Sequence, residues 1–258
     1  MKTIVITGAS SGIGLVTGEY LAKQGYLVYG LSRTKGSSTL IKYLSCDVTD
    51  SEQVKSAFGQ IKEPIDVVIN NAGMGISGPV EFTPKEEIDQ ILSVNLMGVV
   101  NVCQEAIPRL RITKGKIINL GSIAGELAIP FQSFYSLVKA AVASFSEGLN
   151  NELRPFGIKV TVVLPGDTKT SFTQNRQKPK VIDELYARRF QRSLAKMEED
   201  EQKGKNPLTV AKTISRIIKR KHPPLKVAVG WEYKLFVFLK RLLPTKFVNW
   251  LLYQLYGR

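Results

Sequence analysis

Tyr135 and Lys139 are four residues apart in a stretch with helical periodicity, residues 133–153, so their side chains share one helix face. A free phenol titrates near pH 10 and is a poor proton donor or acceptor at neutral pH (roughly three units too high). An ammonium group on the same face favours the phenolate and lowers that value. Ser122 lies 13 positions before the tyrosine, just after the apolar run Lys116–Leu120. Its hydroxyl is suited to holding a carbonyl oxygen beside the phenol. Tyr-x3-Lys alone is common by chance, so its meaning depends on what accompanies it.

The first apolar run, Thr3–Thr7, leads into Gly8-Ala9-Ser10-Ser11-Gly12-Ile13-Gly14. Glycines in a strand-to-helix turn allow backbone to approach a pyrophosphate, and the helix that follows aims free N–H groups and its positive end at the phosphates. A dinucleotide site is therefore expected, with a nicotinamide cation next to Tyr135 as a second influence favouring the phenolate. The second apolar run ends in Ser32-Arg33, where NAD sites usually place an acid on the ribose 2′-hydroxyl. A serine and a cation suit a 2′-phosphate instead, so NADP(H) is the expected cofactor.

These residues need a frame. The runs Thr3–Thr7, Leu27–Leu31, Ile65–Asn70, Lys116–Leu120 and Ile158–Leu164 are apolar on consecutive positions, as strands are when both faces are covered. Shorter runs at Tyr43–Cys46 and Lys226–Val229 bring the count to seven. Helical patterns lie between them, near 12–24, 51–61, 85–111, 133–153 and 207–220. Strand alternating with helix predicts a single α/β domain over residues 1–258, a doubly wound parallel sheet with helices on both faces. Residues 168–206 are polar, include Glu198-Glu199-Asp200-Glu201, and show no strand pattern. They read as a mobile excursion with one or two helices. Two apolar-basic segments, 231–243 and 245–256, form a C-terminal helical extension split by Pro244.

Taken together, Thr7–Gly14, Asp47-Val48, Asn70-Asn71-Ala72-Gly73, Asn95, Ser122, Tyr135–Lys139 and Pro165–Thr170 resemble the short-chain dehydrogenase/reductase family in its compact form. The motifs stand in the family's order and cover nearly the whole chain. The resemblance implies a Rossmann-type fold and an oxidoreductase that interconverts a ketone or aldehyde with an alcohol. It implies Tyr135 as general acid or base, Ser122 at the substrate oxygen, and Lys139 at the tyrosine and the nicotinamide ribose. Asn95 would hold a water in a proton relay that reaches Lys139. Gly8, Ser10, Ser11, Gly12, Ile13 and Gly14 would cradle the pyrophosphate, and Ser32 and Arg33 the 2′-phosphate. Asp47 and Val48 would contact the adenine, Asn70, Asn71 and Ala72 the ribose region, and Pro165, Gly166, Thr168 and Thr170 the nicotinamide carboxamide. In relatives, helices matching 85–111 and 133–153 pair across a two-fold axis, so a homodimer or homotetramer is expected.

The end of the chain bears on the substrate. Trp231–Arg258, with Leu242-Leu243-Pro244, resembles the hydroxysteroid- and retinol-dehydrogenase-like branch, which implies a bulky lipophilic substrate under a lid formed by 168–206. Residues 1–173 hold 16 Lys and Arg against 15 Asp and Glu, whereas residues 174–258 hold 20 against 7, so nearly all of the +14 net charge sits in the last third. Basic residues beside Leu, Phe, Trp and Tyr between 233 and 256 suit a helix lying in a membrane interface, or a cover for the substrate pocket, or a subunit contact. The uncharged stretch Phe247–Gly257 is far shorter than the roughly 20 residues a bilayer span needs. No nucleic-acid-binding motif accompanies the charge, so no nucleic-acid partner is expected. The only histidine, His222, and the only cysteines, Cys46 and Cys103, have no metal-ligand or disulfide spacing. The chain opens directly on a strand, with no secretory signal pattern. A reducing, cytoplasmic setting is the expectation, with peripheral membrane contact as one of the three readings of the extension. Two other functions keep the same frame: a non-catalytic NADP-sensing or scaffolding protein, and an NAD-using epimerase or dehydratase.

Overall fold

Seven parallel strands form one sheet in the order β3-β2-β1-β4-β5-β6-β7. They are β1 Thr3–Thr7, β2 Leu27–Ser32, β3 Lys42–Ser45, β4 Ile65–Asn70, β5 Lys116–Leu120, β6 Lys159–Leu164 and β7 Lys226–Ala228. The computed structural model describes residues 1–179 and 182–258. Side-chain alternation along the central strands explains their uninterrupted apolar runs. Val5, Val68 and Ile117 point to one layer, built from α2 (Ser51–Gln60), α4 (Gly98–Thr113) and α5 (Ser133–Glu152). Ile4, Ile6, Ile69 and Ile118 point to the other, built from α1 (Gly12–Ala22) and α7 (Pro207–Lys219). Strand β3, at the edge, has no fully buried residue.

The chain leaves β3 and returns beside β1 as β4, so the strand order reverses between β1 and β4. Strand C-termini on either side of such a reversal leave a crevice for a ligand. The expected helix over 85–111 is α3 (Lys85–Leu92) running into α4 through one wide π-type turn at Ser93–Met97. The whole run Lys85–Thr113 is long and apolar enough to cross a membrane, but α4 buries Val99, Val102, Cys103, Ala106 and Leu110 against the sheet. It is a core helix.

Among its described residues the excursion 168–206 holds one helix, α6 (Glu184–Gln202), capped by the Asp183 carboxylate on the Leu185 N–H. Positions 180 and 181 of that range lie outside the described residues. The segment is fastened at two points. Gln177 exchanges backbone hydrogen bonds with Gly75 and Ser77, and Lys205 does so with Asp167 and Lys169. The extension is α8 (Trp231–Leu242) and α9 (Thr245–Leu252), with a wide turn Tyr253–Gly257 after them.

Candidate active site

Most of the residues singled out in the sequence line one cleft of about 1140 Å³ at the C-terminal edge of the sheet. At its phosphate end, Gly8 and Gly12 adopt φ values of 65° and 54°, in the left-handed region. Gly14 is buried beneath Gly8; a Cβ there would stand 2.2 Å from the Gly8 carbonyl oxygen. It therefore packs the turn and does not line the cleft. Ser11 stands at the N-cap of α1 yet makes no side-chain cap. The first-turn N–H groups thus lack the partner that a capping serine would supply. Thr7 Oγ1 accepts from the N–H groups of Asn71 and Ala72, and the Asn71 amide donates to the Thr7 and Gly8 carbonyls at 3.0 and 3.1 Å. These bonds fasten the end of β4 to the glycine turn. A dinucleotide pyrophosphate fits this cradle.

At the adenosine end, Ser32, Arg33, Asp47 and Val48 line the wall. Arg33 is exposed and joins no ion pair among the described residues. The Ser32 hydroxyl donates to the Thr34 carbonyl at 2.7 Å and so shapes the turn that presents Arg33.

Two other expected residues turn away from the cleft. Asn70 follows Val68 in the strand alternation and so faces α4. Its amide donates to Asn119 Oδ1 at 2.8 Å and to the Cys103 thiol, and Asn119 donates in turn to Ser146 on α5. This buried ladder ties β4 and β5 to the helix that carries Tyr135 and Lys139, and Asn70 does not line the cleft. Asn95 is 1% exposed in the π-type turn. Its Oδ1 accepts from the Met74 N–H and its Nδ2 donates to the Met74 carbonyl, both at 2.8 Å. The side chain pins the loop after β4 to the π-type turn.

Tyr135 and Lys139 project from α5 into the cleft beside Ser122, whose Oγ accepts from the Ala124 N–H and fixes the turn after β5. The Lys139 ammonium donates to the Leu120 carbonyl at 2.8 Å and stands 5.7 Å from the centre of the Tyr135 ring. Burial lowers the Lys139 pKa to about 8. Burial likewise pushes the Tyr135 hydroxyl up to about 12, against the Ser122 hydroxyl; Glu201 adds to the rise and Arg176 opposes it. The phenol is therefore a neutral proton donor here, the form a carbonyl reduction needs.

Several site residues carry no signal in sequence. Phe172 packs on Tyr135 with ring centroids 5.7 Å apart. Arg176, buried, pairs with Glu201, which also accepts from Thr173. Tyr233 of α8 accepts from the Asp167 N–H at 3.0 Å and donates to the Asp167 carboxylate at 2.8 Å. Its ring lies flat against Gly166, where no Cβ would fit. Tyr256 donates to Asp200 on α6. Lid and extension thus close over the same cleft, and Phe236, Leu239, Phe247, Leu251 and Leu255 supply its apolar far wall.

The short-chain dehydrogenase family model matches residues 2–181, and the chain belongs to that family. It is 43% identical to a 3-ketodihydrosphingosine reductase of Bacteroides thetaiotaomicron, covering 99% of this chain and 98% of that one. It is 30% identical to human retinol dehydrogenase 16, covering 98% and 88%. Among solved structures, a short-chain dehydrogenase of Burkholderia cenocepacia in complex with NADP superimposes with a TM-score of 0.75 at 25% identity, covering 92% and 93%. The retinol-dehydrogenase-like resemblance of the extension is matched by the second relative.

Proposed function

We propose that this enzyme uses NADPH to reduce the ketone of a long-chain, lipophilic substrate. The observation that carries the reading is the apolar wall that α8 and α9 build onto the cleft holding Tyr135. The likeness to a 3-ketodihydrosphingosine reductase over nearly the whole chain supports a keto lipid. Unpaired Arg33, with the NADP complex of a structural relative, supports the phosphorylated cofactor. When bound, that cofactor supplies the hydride. Ser122 holds the carbonyl oxygen, Tyr135 gives it the proton, and the Lys139 ammonium stabilises the phenolate left behind.

Loss of NADPH absorbance, measured with 3-ketodihydrosphingosine, retinal, a ketosteroid and a short ketone, tests the substrate class. Each buried methylene adds roughly 0.8 kcal/mol, so a long chain should raise kcat/KM over the short ketone by more than about 100-fold. Equal rates would rule out the lipophilic reading, and a preference for retinal would favour the second relative's chemistry.

The reductive rate should also depend on pH in one direction. Lys139 is charged below about 8 and neutral above it. Reductive kcat/KM should accordingly hold at low pH and fall as pH rises through about 8. Lys139→Arg keeps the charge and should remove that fall, at a lower plateau. A pH profile identical in the variant would take Lys139 out of the role.

A further inference from the structure

Helix α8 has two apolar faces. The inner one carries the cleft residues Tyr233 and Phe236, and Val237 beneath β6 and β7. The outer one consists of Trp231, Leu235, Phe238 and Leu242. At about 100° per residue these four fall within roughly 60° around the helix. They are 75%, 44%, 57% and 66% exposed. Trp250 of α9 extends the surface, 54% exposed, with its ring stacked on cleft-lining Phe247 at 5.9 Å. Lys234, Arg241 and Lys246 flank it, all exposed and none in an ion pair among the described residues. An exposed apolar stripe of this size beside free cations calls for an external partner.

We propose that α8 and α9 lie in the interface of an anionic lipid bilayer and form the mouth through which substrate passes from lipid to Tyr135. Charge selects this occupant. Residues 174–258 carry 20 Lys and Arg against 7 Asp and Glu. A second copy set against the same face would bring like charge to like charge, whereas an anionic leaflet attracts it. Trp and Phe beside Lys and Arg match the interface chemically. Both helices are too short to span, so the contact is peripheral. Attachment rests on this surface and is independent of which substrate the cleft takes.

The test is co-sedimentation of the full chain with phosphatidylcholine vesicles, with and without added phosphatidylglycerol. Binding should require phosphatidylglycerol. The double variant Phe238→Asp, Leu242→Asp touches nothing in the cleft and should lower the partition coefficient about tenfold or more. Its circular dichroism, NADPH affinity and turnover of a water-soluble ketone should not change. Lys234→Glu with Arg241→Glu should remove the response to phosphatidylglycerol. The proposal is overturned if the wild-type chain sediments with neither vesicle. It is equally overturned if ultracentrifugation shows a dimer that the double variant dissolves, which would give the face to a second copy. Vesicle binding without reduction of any long-chain ketone would uphold the membrane contact while refuting the substrate class.

Discussion

Tyr135→Phe is expected to lower turnover by about 10²–10⁴-fold, the range typical of losing a general acid, while leaving NADPH affinity nearly unchanged. The substitution removes one oxygen and keeps the ring. The packing that places the ring does not involve that oxygen: Phe172 sits 5.7 Å away on one side and the Lys139 ammonium 5.7 Å from its centre. Lys139 stays bonded to Leu120, and Ser122 to Ala124. Only the hydroxyl, with its proton, is lost. Stopped-flow fluorescence for NADPH binding and steady-state turnover, measured side by side, separate the two effects. Turnover at the wild-type rate would end the assignment of Tyr135; loss of NADPH binding in parallel would mean that the phenol serves the cofactor site and not the chemistry.

The frame and the pairing of Tyr135 with Lys139 on one helix face were legible because each rests on local pattern. Consecutive apolar residues mark strands covered on both faces, and i, i+4 spacing places Tyr135 and Lys139 on one side of α5. Asn70 shares the parity of Val68, which the alternation rule sends toward α4, so the place of its side chain in the Asn119 and Ser146 ladder is legible in the strand pattern, although the motif sets it beside Asn71 and Ala72. Asn95 and Ser32 are different. Their bonds to Met74 and Thr34 depend on a π-type turn and a loop conformation that no residue spacing encodes.

The substrate side was opaque for a further reason. Phe172, the Arg176–Glu201 pair and the Tyr233–Asp167 clamp join residues from the lid, α6 and α8 that lie 25 to 66 positions apart. Their contacts exist only once the sheet is complete. Composition nonetheless announced the extension: apolar and basic residues in the same helices read as pocket cover or interfacial helix. In the structure α8 sets one face against Gly166 and the cleft and turns the other to solvent.

Arg33→Asp should invert cofactor preference. The guanidinium stands at the end of β2, exposed and unpaired among the described residues, on the wall shared with Asp47 and Val48. A charge-assisted bond to a 2′-phosphate contributes roughly 1.5–3 kcal/mol, or about 10–100-fold in affinity. Its loss weakens NADPH by that factor, and a carboxylate in its place adds repulsion against the phosphate. The same carboxylate accepts from the 2′-hydroxyl of NADH, as acids at this position do in NAD-binding sheets. The combined shift in the ratio of kcat/KM values should be on the order of 10³. Because the Ser32 hydroxyl is engaged with the Thr34 carbonyl, Ser32→Ala should move the ratio far less, by the small change in how the turn presents Arg33. The ratio measured for both variants with one carbonyl substrate decides the matter. A ratio unmoved by Arg33→Asp would remove the arginine from the 2′-phosphate, and an equal shift in Ser32→Ala would return the serine to it.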